Sequence, residues 1–210
     1  SGTTITNLVT FSNIGSVTIG DAALDTLTFN GGITATAPAS KSIAGTIATS
    51  ADAVNLGTSA TTVTANATIT PGAAAITLAA VTINSGVTLT LGAGAATPIT
   101  TGTVSGAAAS GNLTINTTAA VTVAAVAGPN MGTVTITNSG GTTFSGGVTA
   151  TTVTLTATTG TITFNGALVT SGNLDAAAAG FAVSFNAAVG GQASTVGGTA
   201  ILLNTGLVSF

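Results

Sequence analysis

The sequence predicts an all-β fold of the single-stranded parallel β-helix (β-solenoid) class, with about 20 residues per coil and roughly ten coils. Three observations support this prediction. Short runs that alternate Val, Ile or Leu with Thr recur along the chain, separated by turns rich in Gly and Asn. These runs repeat at an interval of about 20 residues. Charged residues make up 2% of the chain, against roughly 25% in an ordinary soluble domain.

The clearest copies of the repeat lie within residues 133–166. Shifted by about 20 residues, the TVTIT of 133–137 falls on the TVTLT of 152–156. Each copy consists of an alternating strand, a turn of Gly and Thr, and a second strand that ends in Phe. A unit this short cannot bury its own apolar face, so it must stack on a neighbour of the same shape.

The repeat extends over the whole chain with one change in regularity. The first apolar residues of four successive repeats are spaced 21, 19 and 21 residues apart: Leu113, Val134, Val153 and Leu174. Residues 61–210 are therefore expected to form regular coils, and residues 1–60 less regular coils with longer loops. We predict one continuous solenoid over residues 1–210. Because the chain starts at Ser1 without Met or a basic leader, we expect a processed product or an excerpt of a longer chain.

The scarcity of charge favours stacked coils over a two-layer β-sandwich. Equivalent side chains of successive coils lie one strand spacing apart, so like charges would repel, whereas Thr and Asn can hydrogen-bond along the stack. A sandwich of this length would usually contain bulkier core residues and longer strands. A pilin-like sandwich completed by a partner's strand is a further alternative, which the 20-residue repeat and the absence of Cys disfavour.

Two segments of the sequence resemble the repeats of a known group of proteins. TVTITNSGGTTFSGG at 133–147 and VTLTATTGTITFNG at 153–166 are similar to the β-strand repeats of large secreted bacterial surface proteins, such as filamentous haemagglutinin and autotransporter adhesins. The resemblance covers most of residues 60–210. It implies a right-handed parallel β-helix, export to the cell surface or the extracellular space of a bacterium, and an adhesive or structural role.

The chain has few residues that could perform catalysis, and we predict that it is not an enzyme. His, Cys, Tyr, Glu and Arg are all absent, which removes the usual bases, nucleophiles and oxyanion clamps. Asp21 and Asp25 could form a carboxylate pair or a weak Ca²⁺ site, but we expect two solvated turn residues. Lys41 and Ser42 could form a Ser/Lys dyad, but we expect a lone, solvated lysine in a loop. No cofactor and no metal are predicted.

The composition also limits the partners. With one Lys and no Arg the chain has almost nothing to neutralise phosphates, so nucleic-acid binding is not expected. Thr and Gly interrupt every apolar run well short of the ~18–20 residues of a membrane-spanning helix. The expected partners are copies of the chain itself, with a surface carbohydrate as an alternative.

Phe and Thr recur in patterns that bear on function. We expect the Phe residues to form an aromatic stack inside the coils rather than to line a ligand groove. Thr-x-Thr sequences, aligned on a flat face, would form the regular hydroxyl array found in ice-binding solenoids. Several copies could take part, at 62–64, 68–70, 88–90, 133–135, 152–154 and 161–163. Their spacings of 6, 20, 45, 19 and 9 residues are irregular, so ice binding is an alternative function rather than the first.

Both ends of the sequence show the same alternating pattern as the other repeats, and neither end contains charged residues or a predicted capping helix. Such ends expose backbone groups and apolar side chains, and head-to-tail stacking of copies would cover both ends. The apolar residues expected in this contact are Ile5, Leu8, Val9, Phe11, Ile201, Leu203, Leu207 and Phe210. We therefore predict a non-enzymatic structural subunit of a bacterial extracellular fibre or surface coat. The alternative is a fragment of a large secreted adhesin that binds carbohydrate or host protein.

Overall fold

Short strands alternate with turns throughout the part of the protein that the computed structural model describes, which is residues 2–107, 110–128, 131–186 and 193–210. These residues contain no helix. The strands are β1 (Gly2–Ile5), β2 (Val9–Thr10), β3 (Ser16–Ile19), β4 (Thr26–Phe29), β5 (Ile33–Thr34), β6 (Ser40–Ala48), β7 (Val54–Leu56), β8 (Thr61–Thr70), β9 (Ile76–Leu78), β10 (Val81–Ile83), β11 (Thr88–Leu91), β12 (Ile99–Gly106), β13 (Gly111–Asn116), β14 (Val121–Ala127), β15 (Met131–Asn138), β16 (Thr142–Phe144), β17 (Val148–Ala150), β18 (Thr152–Leu155), β19 (Thr161–Phe164), β20 (Leu168–Thr170), β21 (Leu174–Ala176), β22 (Ala182–Phe185), β23 (Thr195–Val196), β24 (Ala200–Leu202) and β25 (Val208–Ser209).

Parallel pairing arranges these strands in three sheets, here named faces A, B and C in the order in which each coil visits them. Face A contains β1, β4, the second parts of β6 and β8, β11, β13, β15, β18, β21 and β24. Face B contains β2, β5, β7, β9, the first parts of β12 and β14, β16, β19, β22 and β25. Face C contains β3, the first parts of β6 and β8, β10, the second parts of β12 and β14, β17, β20 and β23.

The predicted fold class is confirmed, because the protein is a parallel β-solenoid of about nine turns with about 22 residues per turn. The coils are slightly longer and slightly fewer than the sequence indicated. Corner loops explain the difference, since their length varies from coil to coil. Asn112 and Thr133, on neighbouring coils, are 21 residues apart, whereas Asn173 and Thr199 are 26 apart. The regular repeats from Leu113 to Leu174, from which the sequence predicts the coil length, are among the shortest coils.

Long strands pass directly from one face to the next at a corner. In β6, residues 40–43 pair on face C and residues 46–48 pair on face A, with a shift of register between Ile43 and Gly45. Gly45 has a φ of 73°, and a Cβ there would lie 2.5 Å from the carbonyl oxygen of Asp25. Only glycine fits this corner, because the backbones of successive coils approach one another closely there.

The interior is filled by the inward-pointing residues of all three faces, which are mainly Val, Ile and Leu. Short strands such as β7, β9 and β10 bury their first and third residues and leave the second partly exposed. A set of equivalent side chains on successive coils is here named a column. Burial of each such aliphatic side chain contributes about 1.5–3 kcal/mol. Because the neighbours that cover it in its column belong to other coils, stability comes mainly from contacts between coils.

One interior column of face B becomes aromatic near the end of the described chain. The rings of Phe144, Phe164, Phe185 and Phe210 lie parallel, and successive centroids are 5.1, 5.3 and 5.2 Å apart. Stacked pairs of this kind add about 0.5–1.5 kcal/mol each beyond burial. The expected aromatic stack is therefore present for these four residues.

The corner between faces A and B contains a series of buried hydroxyl groups. The Thr117 hydroxyl donates to the Thr97 carbonyl at 2.7 Å, and the hydroxyls of Ser139 and Thr158 lie 2.6 Å apart. Thr97 and Thr158 likewise donate to carbonyls of the preceding coil, at Gly72 and Ser139. These hydroxyls supply hydrogen bonds to backbone groups at a bend where the sheets do not continue.

Candidate functional surfaces

The aspartates considered as a carboxylate pair form a turn instead. Asp25 accepts hydrogen bonds at Oδ2 from the backbone N–H groups of Asp21 and Ala22, at 2.9 and 3.0 Å. These backbone hydrogen bonds hold the pKa of Asp25 below its usual value of 3.8. Asp21 is exposed and Asp25 is partly exposed, as expected for turn residues. Within the described ranges, no group of three or more His, Cys, Asp or Glu side chains could hold a metal ion.

Lys41 is buried, and the expectation of a solvated loop lysine is wrong. It lies in β6 on an inward column of face C, between Val17 and Thr61, and only 1% of it is exposed. Its Nζ donates to Ser59 Oγ, which in turn donates to the Pro38 carbonyl at 2.5 Å. Burial lowers the pKa of Lys41 from the usual 10.5.

No Ser/Lys dyad forms with the adjacent serine. Ser42 is the next residue of the same strand and lies on the outward column of face C, opposite Thr18 and Thr62. Neighbouring residues of a strand point to opposite sides of the sheet, so the two side chains cannot meet. The alternation in Ser-Lys-Ser-Ile at 40–43 already places Lys41 on the same side as Ile43, and this was the signal in the sequence.

Face A carries an unbroken outward column of threonines, here named the threonine column. Consecutive coils bring seven Thr side chains into register, each one strand spacing (~4.8 Å) from the next. They are Thr26, Thr46, Thr68, Thr90, Thr114, Thr135 and Thr154. The column is preceded by Gly2 and followed by Asp175 and Ile201.

A second outward column lies beside the first, two residues earlier in each strand, and is here named the Asn/Thr column. It consists of Asn66, Thr88, Asn112, Thr133, Thr152, Asn173 and Thr199. The asparagines are fixed in a repeated manner, because each Oδ1 accepts the backbone N–H of the Thr on the next coil. The distances are 2.9 Å from Asn66, 2.8 Å from Asn112 and 3.0 Å from Asn173.

These two columns explain why the Thr-x-Thr sequences are irregularly spaced along the chain. The copies at 88–90, 133–135 and 152–154 lie in register on face A, with Asn112-Leu113-Thr114 between the first two. The copies at 62–64 and 161–163 lie on faces C and B. The sequence mixes three faces in one series, so the aligned array appears only once the coils are stacked.

Faces B and C present hydroxyl columns that are single over most of their length. On face B, Thr77, Thr100, Thr122 and Thr143 follow one another in register. Small or apolar residues stand two places before them, as at Ala75, Pro98 and Ala120. On face C the run of hydroxyls gives way to Ala127. On face B a second polar column accompanies the first only on the last coils, as at Asn165 and Asn186. Face A is therefore the face on which two polar columns run side by side over five successive coils.

The two ends of the stack expose apolar side chains. At the first coil, Ile5 and Leu8 are exposed, and Val9 and Phe11 are half-buried against the core. At the last coil, Ile201 and Leu203 are exposed, Leu207 is 73% exposed and Phe210 is 90% exposed. Ile14 and Leu24, in loops of the first two coils, are also largely exposed, and the sequence reasoning missed them because they stand outside any strand pattern.

The apolar interior opens beside the last coil. A cavity of about 310 Å³ is lined there by interior side chains, including Leu168, Leu174, Phe185, Val196, Leu202 and Phe210. Its walls are the same columns that fill the interior elsewhere.

No helix in the described part of the chain is long and apolar enough to span a membrane. Comparisons with family models, with curated proteins and with solved structures found no match.

Proposed function

We propose that the chain is a non-enzymatic structural unit of a bacterial extracellular fibre or surface coat, and that its copies associate end to end. The observation that carries this proposal is the chemical match between the two ends. The interior column of face B begins with Phe11, which follows β2, and finishes with Phe210, which follows β25. Each end exposes a strand edge beside that aromatic residue.

The match extends along the whole strand. In β2 the residues are Val9 and Thr10, and in β25 they are Val208 and Ser209. A second copy whose β2 paired in parallel with β25 would continue the Val column, the outward hydroxyl column and the aromatic stack in register. The same contact would bring β1 of the second copy onto β24 of the first.

The energetic terms of such a junction are favourable. Covering the exposed ring of Phe210 contributes about 1.5–3 kcal/mol by burial. A stacked partner ring adds about 0.5–1.5 kcal/mol. Parallel pairing also satisfies edge N–H and C=O groups that otherwise depend on water. The net charge of the whole chain is −3, so little repulsion between copies opposes the contact.

The remaining surface suits an extracellular support rather than a reaction centre. Its outward columns are mainly Thr, Ser, Asn and Ala, which accept water or a neighbouring chain without needing a counter-charge. The resemblance of 133–147 and 153–166 to secreted bacterial repeats supports the same setting. A heterologous contact between two different ends does not close on itself, so it propagates into a fibre.

The proposal is tested by sedimentation velocity and negative-stain microscopy over a range of concentrations. The wild-type chain is expected to form rods of uniform width that lengthen with concentration. Phe210→Lys is expected to abolish the rods, because it places a charge against the aromatic stack. Val169→Lys is the matched control, since Val169 is an exposed apolar residue on the side of the rod, and this variant is expected to assemble normally.

Two results would contradict end-to-end association. Wild-type particles that stay one solenoid long at every concentration would exclude it and favour the adhesin fragment instead. Equal loss of rods in Val169→Lys and Phe210→Lys would show that association does not depend on the ends.

A further inference from the structure

We propose that face A is an ice-binding surface, in which the threonine column and the Asn/Thr column together bind a plane of an ice crystal. This inference is independent of end-to-end association. The array lies on the side of the solenoid and not at its ends, so a single copy of the chain contains the complete array.

The array of side chains on face A is regular in two dimensions. Along the stack, the threonine hydroxyls repeat at the strand spacing of ~4.8 Å. Across the strand, Thr88 and Thr90 are separated by two residues, or about 6.6 Å at the ~3.3 Å rise of a parallel strand. Thr133 with Thr135 and Thr152 with Thr154 repeat this pair on later coils. Oxygen atoms in hexagonal ice recur at similar lengths along two perpendicular directions, so both dimensions of the array fit a lattice plane.

The threonine side chains are restricted in conformation, while their hydroxyl groups are available to hydrogen-bond with water. Threonine is β-branched, so its side chain is restricted to few rotamers on a strand. The neighbouring asparagines are held by hydrogen bonds from the next coil, as at Asn66 and Asn112. Within the described residues, the hydroxyls of the threonine column donate no hydrogen bond to another group of the chain. They are therefore available to water in a preorganised arrangement, which lowers the entropy lost on binding.

The two columns of face A carry neither charge nor aromatic rings between Thr26 and Thr154. Along the threonine column from Thr26 to Thr154 there is no charged side chain, and the only lysine of the chain points into the interior. A charge would hold its own hydration shell and disturb an ordered water layer. The two columns also contain no aromatic ring on which a sugar could stack, which favours ice over a polysaccharide surface.

The presence of two polar columns side by side favours face A over face B as the ice-binding surface. Face B has a hydroxyl column of equal length, from Thr77 to Ser209, but Ala75, Pro98 and Ala120 stand beside its first members. One column gives a row of hydroxyls and not a plane. Face B therefore supplies a matched control with the same residue type at the same solvent-facing position.

The experiment measures thermal hysteresis and uptake into growing ice for the purified full chain. The wild type is expected to show hysteresis and to be enriched in the ice fraction. Thr114→Lys and Thr135→Lys, two independent changes in the middle of face A, are each expected to lose both signals. Thr122→Lys lies on face B of the same coil as Thr114 and is expected to keep them. Circular dichroism on every variant shows whether the solenoid is intact.

A gain of activity provides a further test. Asp175 interrupts the outward column directly after Thr154. Asp175→Thr extends the threonine column by one coil and is expected to increase hysteresis. Absence of hysteresis in the wild type would overturn the proposal, and so would equal losses in Thr114→Lys and Thr122→Lys. Binding to an insoluble polysaccharide without hysteresis would assign face A to a carbohydrate instead.

Discussion

Replacing the buried lysine should stabilise the protein. Lys41 stands in an interior column of face C. The equivalent positions on other coils are Thr61, which follows Lys41 directly, and Val17, Val81 and Val104. Met at this position would keep the unbranched stem and remove the amine. We expect Lys41→Met to fold to the same solenoid with a larger free energy of unfolding.

The magnitude follows from the hydrogen bonds that the amine makes. A lysine ammonium has three N–H donors, and Ser59 accepts one of them. An unmatched buried donor costs about 1–3 kcal/mol, whereas the hydrogen bond lost in the variant contributed about 1 kcal/mol. Ser59 is only partly buried, so water can replace the amine as its partner. Because two of the three donors are unmatched, we expect a net stabilisation of about 1–5 kcal/mol near neutral pH.

The pH dependence gives the sharper readout. Because burial lowers the pKa of Lys41 in the folded protein, the unfolded chain binds more protons between that pKa and 10.5. Wild-type stability should therefore be lowest below the folded pKa, rise as pH increases through it, and level off above about 10.5. The chain has no His, Cys or Tyr, so no other side chain titrates in this window. Lys41→Met should show no such rise.

Chemical denaturation followed by circular dichroism from neutral pH to about pH 11 measures both effects. Asp52→Asn, which removes an exposed charge in a turn, is the control and should keep the wild-type pH profile. A flat wild-type profile would refute the burial of Lys41. A Lys41→Met variant less stable than the wild type at neutral pH would refute the assigned cost of the amine.

Three other substitutions probe the contacts between coils, and one protease experiment probes their order. Phe164→Ala, in the middle of the aromatic stack, should lower the free energy of unfolding by about 3–5 kcal/mol. Gly160→Ala places a Cβ 2.1 Å from a backbone oxygen of the preceding coil and should cost about 1–3 kcal/mol, whereas Gly180→Ala meets nothing within 4 Å and should be tolerated. Asn112→Ala removes the acceptor for a backbone N–H and should cost about 1 kcal/mol. Denaturant midpoints compare these variants. Trypsin, whose one site follows Lys41, should cleave the denatured chain and leave the folded chain intact on gels.

The fold was accessible from the sequence because its determinants are local. Alternation of Val or Ile with Thr defines a strand with one apolar side, and the repeat of about 20 residues requires neighbours of the same shape. The sequence underestimates the coil length because the coils differ in length without a pattern, with 21 residues between Asn112 and Thr133 but 26 between Asn173 and Thr199. The position of Lys41 in the alternating Ser-Lys-Ser-Ile indicates an inward side chain, whereas its residue type alone predicts a solvated one.

The array on face A was not accessible in the same way. Its regularity depends on the register between coils, which is set by backbone geometry at corners such as Gly45. Asn112 occupies a place in the Asn/Thr column that a search for Thr-x-Thr passes over. Thr62 belongs to the same type of motif but lies on face C. The spacing of Thr-x-Thr sequences along the chain therefore does not predict the two aligned columns on face A.

The two proposed properties use different parts of the solenoid, and this separates their tests. In a head-to-tail rod the threonine column would be interrupted at each junction, because Asp175, Ile201 and Gly2 stand between Thr154 of one copy and Thr26 of the next. Each copy would then offer its own array, and the rod would bind ice as a multivalent ligand rather than as one longer lattice. Phe210→Lys should thus keep ice binding and lose only the gain from avidity, whereas Thr114→Lys should lose ice binding and still form rods.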